Sequence, residues 1–430
     1  MILKTFGHAT LCFYEKESFP IVITDPWLYG SCYWRSWWLQ NYPTEDEISF
    51  LKKTKNILFT HEHWDHMHVP SLKKIFNKQT ILLPNLNSKK LKNYVDSSFQ
   101  KSVELGSLEW RQLHENLKIL SIPLYNDDSI VIFETNKFIV INFNDAKPTP
   151  SILKAINNYR DRRNKKMIVL QSYAPASIVN SFRNSRLEIV SIKEKYDYIN
   201  YIKSICSRLN ADYFVPFASQ AIYSRPDTSW ANNYKVTFED LKNSWNEKTT
   251  LCKPYVKFDL QNESQNSYIK KYNFSEKMNK ISKEIFEKSN ETEINLEKLN
   301  TFSKLTKPVK LFLTLLFPFG LVFKFNDIFF KYNFFLGKFK NLNKEVKKYF
   351  YFEIPAYEFV ESINNGHFTD TGTSFILKIS VEKRFDIYRS YLLFVFLTYS
   401  EKGYFSNYKL FLKQILLVFK NLMPFKISLR

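Results

Sequence analysis

The feature that most constrains this chain is the stretch TKNILFTHEHWDHMHVP, residues 54–70, where histidines and an aspartate follow an apolar run. KNILFT has the composition of a buried strand, and His61, His63, Asp65 and His66 come where that strand ends. Alternate residues of an extended segment point the same way, and Asp65 and His66 lie where a loop leads toward a helix. Because only seven histidines occur in 430 residues, chance clustering is a poor explanation. The pattern predicts a metal site for zinc, iron or manganese.

The distribution of apolar segments predicts the architecture. Short apolar or alternating runs of strand length dominate the first 150 residues, with helical stretches between some of them. We therefore expect an α/β fold, an αββα sandwich over residues 1–245. A polar segment rich in Lys, Glu and Asn predicts a helical connector over 246–300. Residues 301–430, rich in Phe, Leu and Lys, predict a mixed, helix-rich C-terminal domain.

Composition restricts the cellular setting. The four cysteines lie far apart without a CxxC pair, which favours neither a disulfide framework nor a cysteine zinc site. The N-terminus has no apolar segment of signal-peptide length, and the longest apolar run, 311–323, is too short to span a bilayer. A cytoplasmic protein is expected. The formal charge of +20 suits an acidic partner, although a lysine-rich soluble protein would show it too.

The C-terminal segment NYKLFLKQILLVFKNLMPFKISLR, residues 407–430, places lysines at intervals along an apolar helix. One interpretation is an interfacial helix on the inner face of an anionic membrane, which would make the protein peripheral to it. The other is a core helix whose lysines extend to solvent at its edges. No nucleic-acid recognition motif accompanies the charge, so specific nucleic-acid binding is not expected.

The His-x-His-x-Asp-His stretch resembles the signature of the metallo-β-lactamase superfamily. Gly7-His8-Ala9 and Thr24-Asp25-Pro26 are similar to the opening strands of the subgroup that includes ascorbate-phosphate lactonases and N-acyl-phosphatidylethanolamine phospholipases D. In that family the first histidine lies beside the metal cavity and the aspartate supports a ligand. The resemblance thus implies a catalytic role for His8 and a supporting role for Asp25.

The same resemblance implies a dinuclear ligand set. His61 and His63 would bind the first metal ion, and Asp65 and His66 the second. A bridging carboxylate is expected from the end of a later strand, and KFIVINFNDAKP supplies Asp145 there.

Two further histidines usual in hydrolases of this family are missing. Their expected loops, PLYNDDS at 123–129 and YFVPFASQAIYSRPD at 213–227, contain none. The first loop offers Asp127 and Asp128 instead, either as ligands or as an ordinary solvated turn. A carboxylate-rich site shifts preference from zinc toward iron or manganese.

The chain also resembles the CMP-N-acetylneuraminate hydroxylase group. The similar segments are TDPWLYGSCYWRSWWLQNYP, INFNDAKP, ADYFVPFAS and, more weakly, YFEIPAYEFVESINNGHFTDTGTSF, which together cover residues 1–245 and about 350–400. That group carries an N-terminal Rieske domain, whereas this chain starts at the metallo-β-lactamase strand. The resemblance therefore implies that a separate protein donates electrons.

The stretch GSCYWRSWW brings Trp34, Arg35 and Trp37 into one turn, and Arg225 lies where a fourth histidine would be expected. Aromatic faces with guanidinium groups suit a sugar, a nucleobase or a phosphate. A hydrophobic plug between domains is the equal alternative for the tryptophans, and a simple cap for the Arg225 loop.

Three functions follow from these patterns. The favoured one is iron-dependent hydroxylation of a sugar or nucleotide-linked small molecule. In the alternative, two zinc ions activate water, oriented by Asp65, to hydrolyse a phosphoester, lactone or amide. The third is a metal-binding or membrane-associated scaffold without turnover.

Overall fold

The computed structural model describes residues 1–422 except 17, 175–180, 185, 187, 191–193, 272, 274 and 343–349. In chain order its strands are β1 (Ile2–Phe6), β2 (Thr10–Tyr14), β3 (Pro20–Thr24), β4 (Ser31–Cys32), β5 (Trp37–Leu39), β6 (Asn56–Leu58), β7 (Thr80–Pro84), β8 (Val103–Leu105), β9 (Arg111–His114), β10 (Leu117–Pro123), β11 (Ser129–Glu134), β12 (Phe138–Asn144), β13 (Lys166–Ser172), β14 (Phe182–Arg183), β15 (Tyr213–Phe217), β16 (Ala221–Tyr223), β17 (Thr250–Leu251), β18 (Tyr255–Asp259), β19 (Ser264–Tyr268), β20 (Leu321–Phe325), β21 (Ile328–Asn333), β22 (Lys338–Asn341), β23 (Tyr351–Glu353) and β24 (Lys378–Ser380).

The helices are α1 (Glu45–Leu51), α2 (Val69–Ile75), α3 (Lys90–Ser98), α4 (Pro150–Arg163), α5 (Lys195–Arg208), α6 (Phe238–Ser244), α7 (Glu276–Glu291), α8 (Leu296–Leu299), α9 (Phe302–Thr306), α10 (Lys310–Leu316), α11 (Ala356–Asn364), α12 (Asp370–Thr373), α13 (Arg384–Glu401) and α14 (Tyr408–Leu422). Short 3-10 helices cover Ser229–Asn233, Lys307–Val309 and Tyr404–Ser406. Among the described residues no helix is both long and apolar enough to cross a membrane.

Two packed sheets with helices on their outer faces form the first part of the chain, which we call the sandwich unit (residues 1–268). One sheet runs in the order β19-β18-β1-β2-β3-β6-β7-β8 and the other β17-β15-β13-β12-β11-β10-β9. Buried aliphatic side chains of both sheets share one core. Helices α2 and α3 cover the first sheet, and α4 and α5 cover the second. The predicted αββα sandwich is therefore confirmed.

The sandwich unit extends beyond the predicted boundary at residue 245. β17 pairs with β15, and β18 pairs with β1 and β19 at the edge of the first sheet. The sequence 255–268 is polar on its exposed side, which is why its composition predicts a helical connector instead. Within 246–300, the helical character expected from sequence is found in α7 and α8.

The C-terminal unit (residues 276–422 together with β14) is built on a separate sheet of order β14-β24-β23-β20-β21-β22. Its core is dominated by phenylalanines, which explains the aromatic composition after residue 301. A three-stranded sheet, β16-β5-β4, carries the tryptophan-rich turn between the two units. The C-terminal unit thus lies against the loop that follows β6.

Candidate metal site

The signature loop lies at the end of β6, where the parallel strands β3, β6 and β7 terminate together. Backbone bonds from His66 and Met67 to the carbonyl of His63 close it into a tight turn. His68 then caps α2: its Nδ1 accepts from the backbone N–H of Ser71. The protein's own hydrogen bonds therefore hold the loop at both ends.

Asp25 orients His66. One carboxylate oxygen of Asp25 accepts from the backbone N–H of Thr60 at 2.8 Å. The other lies 3.1 Å from Nδ1 of His66 and accepts from Nδ2 of Asn144 at 2.6 Å. All four residues are buried. Because the carboxylate occupies Nδ1, Nε2 of His66 faces the opposite side, 3.5 Å from Oδ2 of Asp145.

His61 and Asp128 form a second buried pair in this site. Oδ1 of Asp128 lies 3.3 Å from Nδ1 of His61. Burial, with the charges of His66 and His63, lowers the pKa of His61 well below its usual value, which leaves the imidazole neutral. Burial and the charge of Asp145 raise the pKa of Asp128 to about 7. His63 is half-buried, with its ring centre 4.6 Å from that of His61.

Asp65 is held by two side chains outside the signature. Nε2 of His8 donates to Oδ2 of Asp65 at 3.1 Å, because Nδ1 of His8 already accepts from the backbone N–H of Gln220. The hydroxyl of Tyr33 donates to Oδ1 at 2.6 Å. Tyr33, Trp34 and Arg35 all adopt positive φ angles, an uncommon run that brings the tyrosine to the site. His8 is consequently placed as a donor that positions Asp65.

The donor set fits divalent cations. His61, His66 and Asp145 bring ligand atoms within 4.8 Å of one another, and so do His8, Asp65 and His66. Nε2 of His61 and Nε2 of His66 are buried without a hydrogen-bond partner among the described residues. An unpaired buried polar atom costs roughly 1–3 kcal/mol, and coordination to a cation would remove that cost. The surrounding carboxylates supply the negative charge that such an ion needs.

Asp127 and Asp128 are adjacent in sequence but point to different places. Both oxygens of Asp127 accept from the hydroxyl of Tyr404, at 2.6 and 2.7 Å, and one lies 3.3 Å from Nζ of Lys402. Asp127 therefore belongs to the contact with the C-terminal unit, and its predicted role as a ligand is not supported. Only Asp128 of the two lies at the cluster.

The variable positions of the signature contact the C-terminal unit. Glu62 lies 3.5 Å from the buried Nζ of Lys402 and 3.7 Å from Lys90. Burial would raise the pKa of Glu62, but the two lysines outweigh it and lower that pKa to about 2. Trp64 packs edge-on against His367, with ring centres 5.1 Å apart. Glu62 and Trp64 thus face the C-terminal unit, whereas the alternate residues of the same loop face the candidate metal ions.

Asp370 and His367 are site residues that the sequence did not reveal. Oδ1 of Asp370 lies 4.0 Å from Nε2 of His63, and Oδ2 lies 3.2 Å from Nδ1 of His367. Asp370 is buried at the start of α12. The only signal was the weak similarity of the segment around HFTDTG, which by itself indicated no role for either residue.

Two of the four residues predicted to bind substrate, Arg225 and Trp37, are buried inside the fold. Arg225 is fully buried, bonded at 2.9 Å to both oxygens of Asp227 and at 2.5 Å to Glu358. Its guanidinium cannot reach a substrate, so that prediction is corrected. Trp37 is buried in an aromatic cluster, as the plug alternative expected.

The remaining two predicted substrate residues lie near the surface. Nε1 of Trp34 donates to Glu361 of the C-terminal unit. Arg35 is exposed, and its guanidinium bonds locally to the hydroxyl of Ser31 at 3.2 Å. Both bonding partners lie outside the metal-site cluster.

Two cavities flank the site. A small one of about 80 Å³ is lined by Asp145, Lys147, Gln171 and Tyr201, among others. A larger one of about 510 Å³ lies between the signature loop, α2, α3 and residues 365–367, with Trp64 and His367 in its wall. Of the candidate ligands, Asp145 lines the small cavity, and its side chain is 30% exposed.

Comparison with known proteins supports the resemblance seen in the sequence. No family model matches the chain. The cytidine monophosphate-N-acetylneuraminic acid hydroxylase of Sus scrofa is 25% identical over 250 residues, which is 54% of this chain and 54% of the relative. That of Macaca mulatta is 24% identical over 250 residues, 54% of this chain and 40% of the relative. The human relative, described as inactive, is 24% identical over the same length. The chain spans about half the length of the curated relatives it matches.

Solved structures similar to this chain include both hydroxylases and hydrolases. A mutant of the CmlA beta-hydroxylase aligns with a TM-score of 0.39 and 14% identity, over 62% of this chain and 54% of its own. An isothiocyanate hydrolase from Delia radicum gut bacteria aligns with a TM-score of 0.41 and 13% identity, over 62% and 99%. Similarity at this level identifies neither a reaction nor a substrate.

Proposed function

We propose that this protein is a metal-dependent enzyme whose dinuclear, carboxylate-rich site uses iron to hydroxylate a sugar or nucleotide-linked small molecule. One observation carries the proposal: ligand atoms of His61, His66 and Asp145 lie together, Asp65 lies beside His66, and Asp128, 3.3 Å from His61, occupies the loop in which a hydrolase would supply a further histidine. A shell with as many carboxylates as histidines shifts the preference from zinc toward iron or manganese. The sequence similarity to hydroxylases supports the same reaction class.

In this proposal His61, His63 and Asp128 would hold one ion and Asp65 and His66 the other, and Asp145 would be shared between them. Iron bound there would supply the activation of dioxygen that hydroxylation requires. The chain's own residues fix the geometry: Asp25 turns His66, while His8 and Tyr33 hold the two oxygens of Asp65. Such outer contacts usually set ligand orientation and metal affinity.

The substrate would approach through the small cavity. Its volume of about 80 Å³ admits only the reacting part of a molecule, so the remainder must lie along the surface beyond it. Lys147, exposed at the rim, supplies a positive charge that suits a phosphate or carboxylate group. Hydroxylation also needs an electron donor, which we propose is a separate protein.

A zinc-dependent hydrolase is the second candidate. His8, Asp65 and His66 form a compact group in which a positioned carboxylate could orient water. Two zinc ions in this site would supply a Lewis acid for a phosphoester, lactone or amide. The lack of a histidine in the loops of Asp128 and Arg225 counts against this candidate.

The test is elemental analysis with optical spectroscopy on protein purified without added metal, compared with Asp145→Ala and His63→Ala. About two irons per chain, lost in both variants, would support the hydroxylase and direct the search to oxygen consumption with nucleotide sugars. One or two zinc ions would overturn the iron proposal and favour the hydrolase.

Arg35→Ala is the matched control, because Arg35 is exposed and its side chain bonds locally to Ser31. It should keep its full metal content. Absence of any metal from the unmodified protein would overturn both enzyme proposals in favour of a scaffold without turnover.

A further inference from the structure

The outer faces of three helices in the C-terminal unit are apolar, although soluble proteins normally place polar residues there. We infer that these faces form a surface that docks on an anionic lipid membrane. The surface comprises the exposed sides of α10, α13 and α14 and the lysines between their apolar side chains. This inference does not depend on which reaction the metal site performs.

Helix α10 and the turn after it expose the first part of this surface. Leu311, Phe312, Leu315 and Phe319 all point to solvent, with Leu315 81% and Phe319 83% exposed. Leu313 and Phe317 of the same segment are buried in the aromatic core. Exposed apolar side chains at this density mark an interaction surface.

Helix α13 continues the surface. Phe385, Tyr388, Leu392 and Val395 recur at intervals of three or four residues and are all exposed. The opposite side of the helix is buried in the core, for example through Leu393. Both the inner and the outer face of α13 therefore carry apolar side chains, although Arg384 and Arg389 belong to the same helix. The solvent-exposed apolar stripe of α13 therefore marks an interaction surface.

Helix α14 combines apolar residues with lysines on its outer face. The exposed side chains of this face are Leu412, Leu416 and Phe419, with Lys409, Lys413 and Lys420 between them. The inner face is fixed to the sandwich unit, since Gln414 is buried and accepts from Nδ2 of Asn87 at 2.7 Å. The lysine-bearing apolar face is therefore the one left free by the tertiary structure. The rest of the predicted interfacial segment, 423–430, lies outside the described residues.

Aromatic contacts connect the three helices. Phe312 of α10 stacks on Phe396 of α13, with ring centres 5.3 Å apart. Phe405 then contacts Phe396 at 6.2 Å and Phe411 of α14 at 5.4 Å. The helices are thus neighbours, and their exposed stripes belong to one continuous region.

Charge identifies the occupant. Residues 301–326 and 402–422 contain lysines and no acidic residue. A second copy of the chain on this surface would bring lysines against lysines, which is unfavourable in a protein of net charge +20. An anionic membrane accepts apolar side chains at the headgroup boundary and neutralises the lysines at the same time.

The test is sedimentation of the full chain with vesicles of phosphatidylcholine alone and of phosphatidylcholine mixed with phosphatidylglycerol. We expect binding to the anionic vesicles, weakened by salt, and little binding to the neutral ones. Leu315→Ser with Phe319→Ser should reduce the partition coefficient at least about tenfold. Replacing Lys409, Lys413 and Lys420 by serine should reduce it about 100-fold.

Two controls match these variants. Serine at Lys277, Lys280 and Lys288, all exposed on α7, removes the same total charge from another place. Serine at Phe19 and Ile269, exposed on or beside the sandwich unit, removes two apolar side chains elsewhere. Both should leave vesicle binding within about twofold of the unmodified protein. All substitutions lie at exposed positions, so unfolding midpoints should stay close to that of the parent.

Three results would overturn the inference. One is no binding to anionic vesicles. Another is a fall of equal size in the α14 and α7 lysine variants, which would mean that binding follows net charge alone. The last is an absence of vesicle binding combined with concentration-dependent dimerisation. If the Leu315 and Phe319 substitutions dissociate those dimers, the occupant of the surface is a second copy of the chain.

Discussion

Oδ1 of Asp370 lies 4.0 Å from Nε2 of His63, so the C-terminal unit presents a carboxylate to a signature histidine of the sandwich unit. His367 holds the other oxygen of Asp370 at 3.2 Å. Histidine ligands commonly donate their second ring N–H to a carboxylate, which fixes the ring and raises its basicity. A carboxylate from outside the predicted catalytic domain therefore lies beside a signature histidine.

Replacing Asp370 by asparagine should weaken metal binding about 10- to 100-fold, because the charge behind His63 is lost while the shape is kept. Competition with a chromophoric chelator gives the affinity, and the absorption spectrum of the cobalt-substituted protein reports a change in ligand geometry. Glu361→Gln is the control, since Glu361 contacts Trp34 in the same interface. Equal affinities in the two variants would contradict the role of Asp370.

Asp127 and Asp128 provide a matched pair of neighbouring carboxylates. Asp128→Asn should lower metal affinity at least about 100-fold, more than an outer residue would, because Asp128 lies beside His61. The metal-free Asp128→Asn protein should remain folded, because burying an amide costs less than burying a carboxylate. Asp127→Asn should keep its metal but lose stability, because Lys402 and Tyr404 lose their partner.

Elemental analysis and chemical denaturation distinguish the two effects. The reverse pattern, in which Asp127→Asn loses metal and Asp128→Asn does not, would mean that the loop turns its other carboxylate into the site.

Lys402 joins the two units through Glu62 and Asp127, at 3.5 and 3.3 Å. Lys402→Met should lower the free energy of unfolding by about 3 kcal/mol, because the buried Asp127 loses its counterion and the half-buried Glu62 keeps only Lys90. Urea denaturation measures this change. Lys242→Met is the control: Lys242 is exposed and pairs with the exposed Glu239, so its loss should cost less than about 0.5 kcal/mol. A Lys402 variant as stable as the control would show that the buried network does not hold the units together.

The environment of Glu134 predicts how the free energy of unfolding depends on pH. Burial would raise its pKa, but bonds from Lys118, Lys165 and Tyr159 outweigh burial and lower it below the ordinary value of 4.5. A depressed carboxyl pKa stabilises the fold above the unfolded-state value and loses that contribution as pH falls through the folded-state value. Unfolding free energies of the native protein and Glu134→Gln should therefore differ most near neutral pH.

That difference should shrink as the pH falls below about 4.3. Denaturation curves of both proteins across the acid range measure it. A difference that stays constant with pH would mean that the carboxylate contributes through packing and not through its charge. Glu239→Gln, at an exposed pair, should show no such dependence.

The strand pattern was accessible from sequence because buried strands are continuous apolar runs, as in FIVINFN of β12 and SIVIFE of β11. The edge hairpin β18–β19 was not predictable from sequence, because a strand with one solvated face has a largely polar sequence. Trp37 and Arg225 show that residue type alone does not predict a ligand-binding role. Their residue types suit a ligand, but burial and partners decide between a pocket and a core, and sequence carries neither.

The sequence by itself determined that His61, His63, Asp65 and His66 would meet, because they follow one strand within one short loop. Which other groups join them was decided by the tertiary structure. Asp128 is separated from Asp127 by the direction of a turn, which depends on Tyr404 and Lys402 arriving from the other end of the chain. Asp370 reaches His63 only because the C-terminal unit packs on the signature loop. Local spacing fixes local neighbours, whereas contacts between distant segments depend on packing that no single segment encodes.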